Sequence, residues 1–231
     1  MDQVHVTLIG GGWDEGFQRA IYEPFVREAS GVAVRHLGVP RVAVVLLDEG
    51  DGVEEYGDRF VHALRSAGEV EPFVVPVLRG SRLNVDDLAE ADGLLVGGGL
   101  TPEYAKSLVP VRDELVRWLL ERGAPYAGFS AGAAIAAADA VVGGWRHHGQ
   151  PICPEDAGED LEEVAVVAGL GLVPFTVDVH ADAWETTPRL RAAIADLGEG
   201  RVGYALDEDT ALIVQGDRLT TVGRGEATRI V

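Results

Sequence analysis

The stretch Tyr126–Ala137, YAGFSAGAAIAA, sets one serine among residues too small to crowd it. YAGF leads in as a short apolar run and an alanine-rich run follows, so the chain reads as a buried strand that turns sharply at Ser130 into a helix. Within it GFSAG, Gly128–Gly132, fits G-x-S-x-G, the pattern of a strained elbow that lifts a nucleophilic serine off the end of a sheet. Such a turn needs tiny residues two before and two after the serine, and Gly128 and Gly132 meet that need. The following helix would aim unpaired N–H groups, Ala131 N–H first among them, at an oxyanion forming on an attacked carbonyl. A plain turn in which Ser130 only caps the helix is the competing reading, because serine is a favoured cap and alanine a favoured helix former.

An elbow of this kind projects from a parallel sheet, and the neighbouring sequence supplies one. VHVTLI (Val4–Ile9), RVAVVLL (Arg41–Leu47), PFVVPVL from Pro72, DGLLVGG from Asp92 and PYAGF from Pro125 are short, nearly continuous apolar runs. Between them Phe17, Ile21 and Phe25, then Phe60, Val61 and Leu64, recur near helical spacing, and a long helix is expected from about Pro102 to Leu120. This alternation predicts an α/β fold in three layers, with a mostly parallel sheet buried on both faces. VGYALD, TALIVQ, RLTTVG and ATRIV follow one another without helices and are expected as antiparallel C-terminal strands at one sheet edge. No repeat, low-complexity tract or linker divides the chain, so residues 1–231 are read as a single domain. RHHGQPICPEDAGEDLEE, Arg146–Glu163, is the one long polar interruption and reads as a surface loop or a lid.

Composition limits the function. The 231 residues are 47% hydrophobic, enough for a sizeable core, and 38 acidic against 19 basic residues give a net charge of −19. That charge repels phosphate backbones and anionic membranes, so neither nucleic acid nor a membrane is an expected partner. One cysteine, Cys153, rules out an internal disulfide framework and a Cys-based zinc cluster. MDQVHVTLIGGG lacks the basic and apolar regions of a signal peptide, and no apolar run approaches the roughly 20 residues of a membrane span, so a cytoplasmic protein is expected. The glycine clusters GGGWDEG (Gly10–Gly16), GGGL (Gly97–Leu100) and GLGL (Gly169–Leu172) match neither the dinucleotide fingerprint nor the P-loop. They read instead as strand-to-helix turns at the carboxyl edge of the sheet, which is also where such sheets bind ligands.

A serine hydroxyl needs a base. His5, His36 and His62 precede the elbow with no motif around them, and His147 and His148 lie in the polar interruption. His180, in FTVDVHADAW, follows an apolar run that delivers it to a strand end, and it is the best base candidate. YALDEDTALIV offers three carboxylates to orient that base, Asp207, Glu208 and Asp209.

Together GFSAGA, VDVH, ALDEDTALIV, LLVGGG and LIGGG make the chain resemble the peptidase E and cyanophycinase family of serine peptidases. The resemblance spans most of the chain, and LIGGG resembles the cyanophycinase branch more than peptidase E itself. It implies a flavodoxin-like sandwich similar to class I glutamine amidotransferases, with serine in place of their elbow cysteine. By position it makes Ser130 the nucleophile, His180 the general base and Glu208 the acid of the triad, with Gly98 or Gly99 joining Ala131 as oxyanion donors. The order Ser, His, acid also separates the chain from α/β-hydrolases, whose histidine comes last, since no histidine follows His180.

The resemblance further implies cleavage beside an aspartyl residue of a small peptide, in an Asp-X dipeptide or a β-aspartyl linkage, with no metal or cofactor. Leu100 and Thr101 stand where the family commonly has Asp-Gln or Asn-Thr. Arg189 and Arg191 lie farther from His180 than the family arginines do, and with Thr101 they are the expected substrate contacts, Arg189 holding a carboxylate. A binding module that has lost activity and a relaxed esterase or amidase are the alternatives, and a homodimer is left open.

Overall fold

The computed structural model describes residues 4–50 and 52–231; Met1–Gln3, the head of the stretch read above for targeting signals, lie outside the described residues. From the N-terminus the chain runs through β1 (Val6–Ile9), α1 (Glu15–Ala33), β2 (Arg41–Asp48), α2 (Glu54–Ala67), β3 (Glu71–Leu78) and β4 (Gly93–Val96). It continues through α3 (Thr101–Leu108), α4 (Arg112–Arg122), β5 (Tyr126–Phe129), α5 (Ala131–Ile135), β6 (Asp139–Gly143) and the short hairpin β7 (Arg146–His147) and β8 (Gln150–Pro151). Then come β9 (Ala165–Ala168), β10 (Thr176–Asp178), α6 (Thr187–Leu197), β11 (Gly203–Leu206), β12 (Thr210–Gln215), β13 (Arg218–Gly223) and β14 (Ala227–Ile230).

The main sheet has seven strands in the order β13-β12-β1-β5-β4-β2-β3. β1, β5, β4, β2 and β3 are parallel, and β12 and β13 join antiparallel beside β1. Both faces are covered. Val42, Val44 and Leu46 of β2 pack with Ile21, Phe25, Phe60 and Leu64 of α1 and α2, while Ala43 and Val45 pack with Tyr104, Leu108, Leu115 and Leu119 of α3 and α4. The two-residue alternation of a strand sends successive side chains to opposite layers, so apolar residues must occupy both sets of positions. That is why β2 reads as an unbroken apolar run. β3 lies at the sheet edge, the place where a strand tolerates Pro72 and Pro76.

Two expectations are corrected. The long helix from Pro102 is two: α3 ends at Leu108, and a 3₁₀ turn, Val109–Val111, separates it from α4. Pro110 has no N–H to continue the ladder, and its ring clashes with the carbonyl one turn back. The helix expected after Ser130 is present, five residues long. Of the four C-terminal strands only β12 and β13 extend the main sheet, whereas β11 and β14 pair with β10 in a separate sheet ordered β10-β11-β14. β10 and β11 are parallel, joined by the crossover helix α6. This small sheet delivers the residues that face the elbow. Among the described residues no helix is long and apolar enough to cross a membrane.

Candidate active site

Ser130 directly follows β5, the middle strand of the main sheet. Its backbone is at φ +50° and ψ −110°, a region an L-residue occupies only under constraint. The glycines on either side explain the constraint. A Cβ on Gly128 would lie 2.3 Å from the Gly132 carbonyl oxygen, and one on Gly132 would lie 2.2 Å from the Val96 oxygen. Ser130 makes no side-chain cap to α5, so the plain capped turn does not describe it. Its Oγ turns to a histidine instead.

Ser130 Oγ lies 2.8 Å from His180 Nε2, and His180 Nδ1 lies 2.7 Å from Glu208 Oε1. An ionised carboxylate only accepts hydrogen bonds, so Nδ1 carries the proton it donates to Glu208, and the Nε2 lone pair accepts from the serine hydroxyl. Ser130 and His180 are each 6% exposed. Burial pulls the imidazole below its ordinary pKa, while the hydrogen bond and charge of Glu208 oppose that shift. The ring is therefore neutral at neutral pH, the form that can take a proton.

The acidic turn sorts its three carboxylates by task. Only Glu208 meets the imidazole. Asp207 accepts the Glu226 N–H, and Asp209 accepts the Asp14 N–H while its own N–H binds the Gly11 carbonyl. Gly11, at φ +106°, has a further reason to be glycine, because a Cβ there would sit 2.1 Å from His180 Cε1. The first glycine cluster thus makes room for the imidazole. Gly98 backs onto Ser130, its virtual Cβ 3.1 Å from the serine Cβ, and Gly99 faces the cavity above the serine.

That cavity, about 1070 Å³, opens over the carboxyl ends of β1, β2, β4 and β5. Residues 155–162 of the polar interruption form much of its wall, so this segment belongs to the site. Glu159 fastens it: its carboxylate accepts the Thr101 N–H at 3.0 Å and the Thr101 hydroxyl at 3.2 Å, at the first turn of α3. Burial pushes the Glu159 carboxyl pKa up, with the Thr101 N–H bond opposing.

The expected substrate contacts are not borne out by this geometry. Arg189 is 3% exposed and donates from Nε to Asp178 Oδ2 at 2.9 Å, from Nη2 to Asp178 Oδ1 at 2.7 Å, and from Nη1 to the Ala157 carbonyl. Its guanidinium holds the polar segment against β10 and has no face left for a substrate carboxylate. Arg191 lies exposed on α6, away from the cavity lining, and Thr101 is buried under Glu159. Sequence reading also passed over Trp184, whose ring stacks on the His180 imidazole with centroids 3.8 Å apart and planes 13° apart, and Asp182, which accepts the Glu208 N–H. Both follow His180 in HADAW, but only the turn there brings them back onto the base and the acid.

The sequence model of peptidase family S51 matches residues 39–222, most of the chain. The chain belongs to peptidase family S51. This makes it a hydrolase of the serine peptidase type. No curated protein matches it. Among solved structures it is similar to a protein from Listeria monocytogenes EGD-e provisionally assigned as a peptidase E, with a TM-score of 0.57 and 17% identity. That likeness covers 96% of this chain and 99% of the other, and at such identity it speaks for the shared fold. The S51 match includes Ser130, His180 and Glu208, and stops short of β14.

Proposed function

We propose that this S51 member cleaves a peptide or amide bond through an acyl-enzyme carried on Ser130, with His180 as general base and Glu208 as its orienting acid. The observation that carries the reading is the unbroken relay from Ser130 Oγ through both imidazole nitrogens to Glu208, with bonds of 2.8 and 2.7 Å. Ser130 Oγ attacks the carbonyl carbon while its proton passes to His180 Nε2. Glu208 stabilises the imidazolium, which then protonates the leaving amine as the C–N bond breaks. A water, deprotonated in turn by His180, releases the acyl group and regenerates the serine. The N–H groups of Ala131 and Gly99 are the oxyanion donors in this scheme; Gly99 is chosen over Gly98 because it lines the cavity.

The motif resemblance supports a scissile bond beside an aspartyl residue, and the cavity wall refines it. Glu49, Glu208 and five carboxylates of the polar segment, Glu155, Asp156, Glu159, Asp160 and Glu162, line the cavity, whereas among the described residues no lysine or arginine does. A free aspartyl carboxylate finds no cation there, and an unpaired one would be repelled. A β-aspartyl linkage avoids the difficulty where the residue's α-carboxyl is itself held in a peptide bond, because the side-chain carboxyl is consumed in the scissile amide and no free carboxylate is left. Substrates carrying ammonium or guanidinium groups suit the wall best. A fluorophosphonate label followed by peptide mapping tests the nucleophile: Ser130 is expected to carry the label, and Ser130→Ala to lose both label and turnover. Labelling at another serine with Ser130 untouched would sink the reading.

A further inference from the structure

His147 and His148 close the β7–β8 hairpin, outside the cavity lining. Consecutive residues of a strand point to opposite faces, yet these two imidazoles lie with ring centroids 4.0 Å apart. The cause is local: His148 adopts φ +52° in a two-residue turn with Gly149, at φ +75°, which swings its ring back beside that of His147. Opposite them α6 presents Asp196, whose Oδ2 lies 3.0 Å from His147 Nε2. One donor atom from each of the three residues lies within 4.8 Å of the other two.

We propose that His147, His148 and Asp196 bind a divalent transition-metal ion of the zinc type and thereby tie the hairpin tip to α6. Two imidazole nitrogens with one carboxylate oxygen suit Zn²⁺, Ni²⁺ or Cu²⁺ better than Ca²⁺ or Mg²⁺, which prefer all-oxygen shells. Bonds of about 2.1 Å at 90–110° place neighbouring donor atoms about 3.0–3.4 Å apart, and the His147–Asp196 spacing of 3.0 Å already lies in that range. His148 is exposed, so its ring can close the remaining distance by side-chain rotation. Water would complete the shell, which makes this a surface clasp of modest affinity. The net charge of −19 favours any cation arriving there. Trp145, at the base of the hairpin, lines the cavity, so a filled clasp would also stiffen one part of the cavity wall.

A bare hydrogen bond between His147 and Asp196 makes no use of His148, and this difference supplies the test. The full chain, with any affinity tag removed and metal stripped by chelator, is titrated with zinc chloride by calorimetry and followed by hydrogen exchange at residues 146–151. One ion per chain is expected, with a dissociation constant on the order of 10 µM, together with slowed exchange at the hairpin. His148→Ala and Asp196→Asn, both at exposed positions, should each weaken binding about tenfold or more without lowering the melting temperature of the metal-free protein. No zinc binding below about 1 mM, or undiminished binding in either variant, overturns the proposal.

Discussion

His180 and Glu208 leave neighbouring parallel strands at the same end, each two residues beyond its strand, where β10 and β11 pair Asp178 with Ala205. The 2.7 Å contact between the imidazole and the carboxylate is therefore fixed by strand register. The serine arrives from the other sheet, at the end of β5, and the two sheets meet at the Ser130–His180 bond. A group held by backbone register needs little reorganisation when charge develops, which is the condition for effective stabilisation of a transition state.

The pH profile should carry the mark of His180. Its pKa lies below the ordinary imidazole value and catalysis needs the neutral ring, so the acid limb of kcat/KM should fall below about pH 6.5. Glu208→Gln removes the partner that raises that pKa. The limb should then move to still lower pH, while kcat at neutral pH drops by about 10²-fold or more because the imidazolium loses its counter-charge. A limb that moves upward in the variant would contradict the assignment.

Arg189 is expected to matter for stability and not for specificity. It forms a forked pair with Asp178, which is 1% exposed, and Arg189→Ala would leave that carboxylate buried without a counter-charge, with the Val179 N–H as its remaining hydrogen-bond donor. Breaking such a pair costs about 3–5 kcal/mol. The denaturant midpoint of Arg189→Ala should fall accordingly, and Arg189→Met combined with Asp178→Leu should recover much of the loss. Any activity that remains should be reduced equally for anionic and neutral substrates. A selective loss on anionic ones would restore Arg189 to the substrate site.

The elbow was readable in the sequence because sterics leave few options: only residues of glycine's size fit at 128 and 132, so the requirement is written in the local chain. The parallel strands were readable for the same kind of reason, since burial on both faces demands unbroken apolar runs. What escaped depends on partners distant in sequence. TALIVQ and VGYALD look alike as strands, and only their pairing with β1 or with β10 separates them. Arg189 in isolation looks like a solvent-facing or ligand-binding cation, and Asp178, which neutralises it, is recognisable only once β10 and α6 are packed. Glu159 likewise sat in a stretch that reads as polar loop, with nothing local to point it at Thr101, 58 residues away.

Gly11 offers a test that separates fit from backbone strain. In Gly11→Ala the new methyl would overlap the imidazole, 2.1 Å from Cε1, and displace His180 from Ser130. Turnover should fall by on the order of 10²-fold, since a shift of about 1 Å at a reacting group costs that much. Gly80→Ala is the control: Gly80 also has positive φ, +82°, but nothing lies within 4 Å of its virtual Cβ. That variant should lose about 1 kcal/mol of stability from strain and keep its activity. Equal activity losses in both would mean that strain, and not the fit against His180, sets the requirement for glycine.

Substrate charge is the last expectation, and it follows from the cavity wall. Glu155, Asp156 and Asp160 are exposed residues lining the cavity, so their field acts on an incoming peptide without a built-in counter-ion among the lining residues. Two peptides that differ only by arginine or glutamate next to the cleaved residue should be separated at low salt, the cationic one having the higher kcat/KM by about tenfold or more. The gap should shrink towards about 1 M salt, where the screening length falls to about 3 Å. Neutralising the three residues together, as Glu155→Gln, Asp156→Asn and Asp160→Asn, should close most of the remaining gap at low salt, while fluorophosphonate labelling of Ser130 proceeds at its original rate. Labelling that slows in step with peptide turnover would mean the substitutions disturbed the serine itself. Equal rates on both parent peptides, or a preference for glutamate, would show that the wall does not select its substrate by charge.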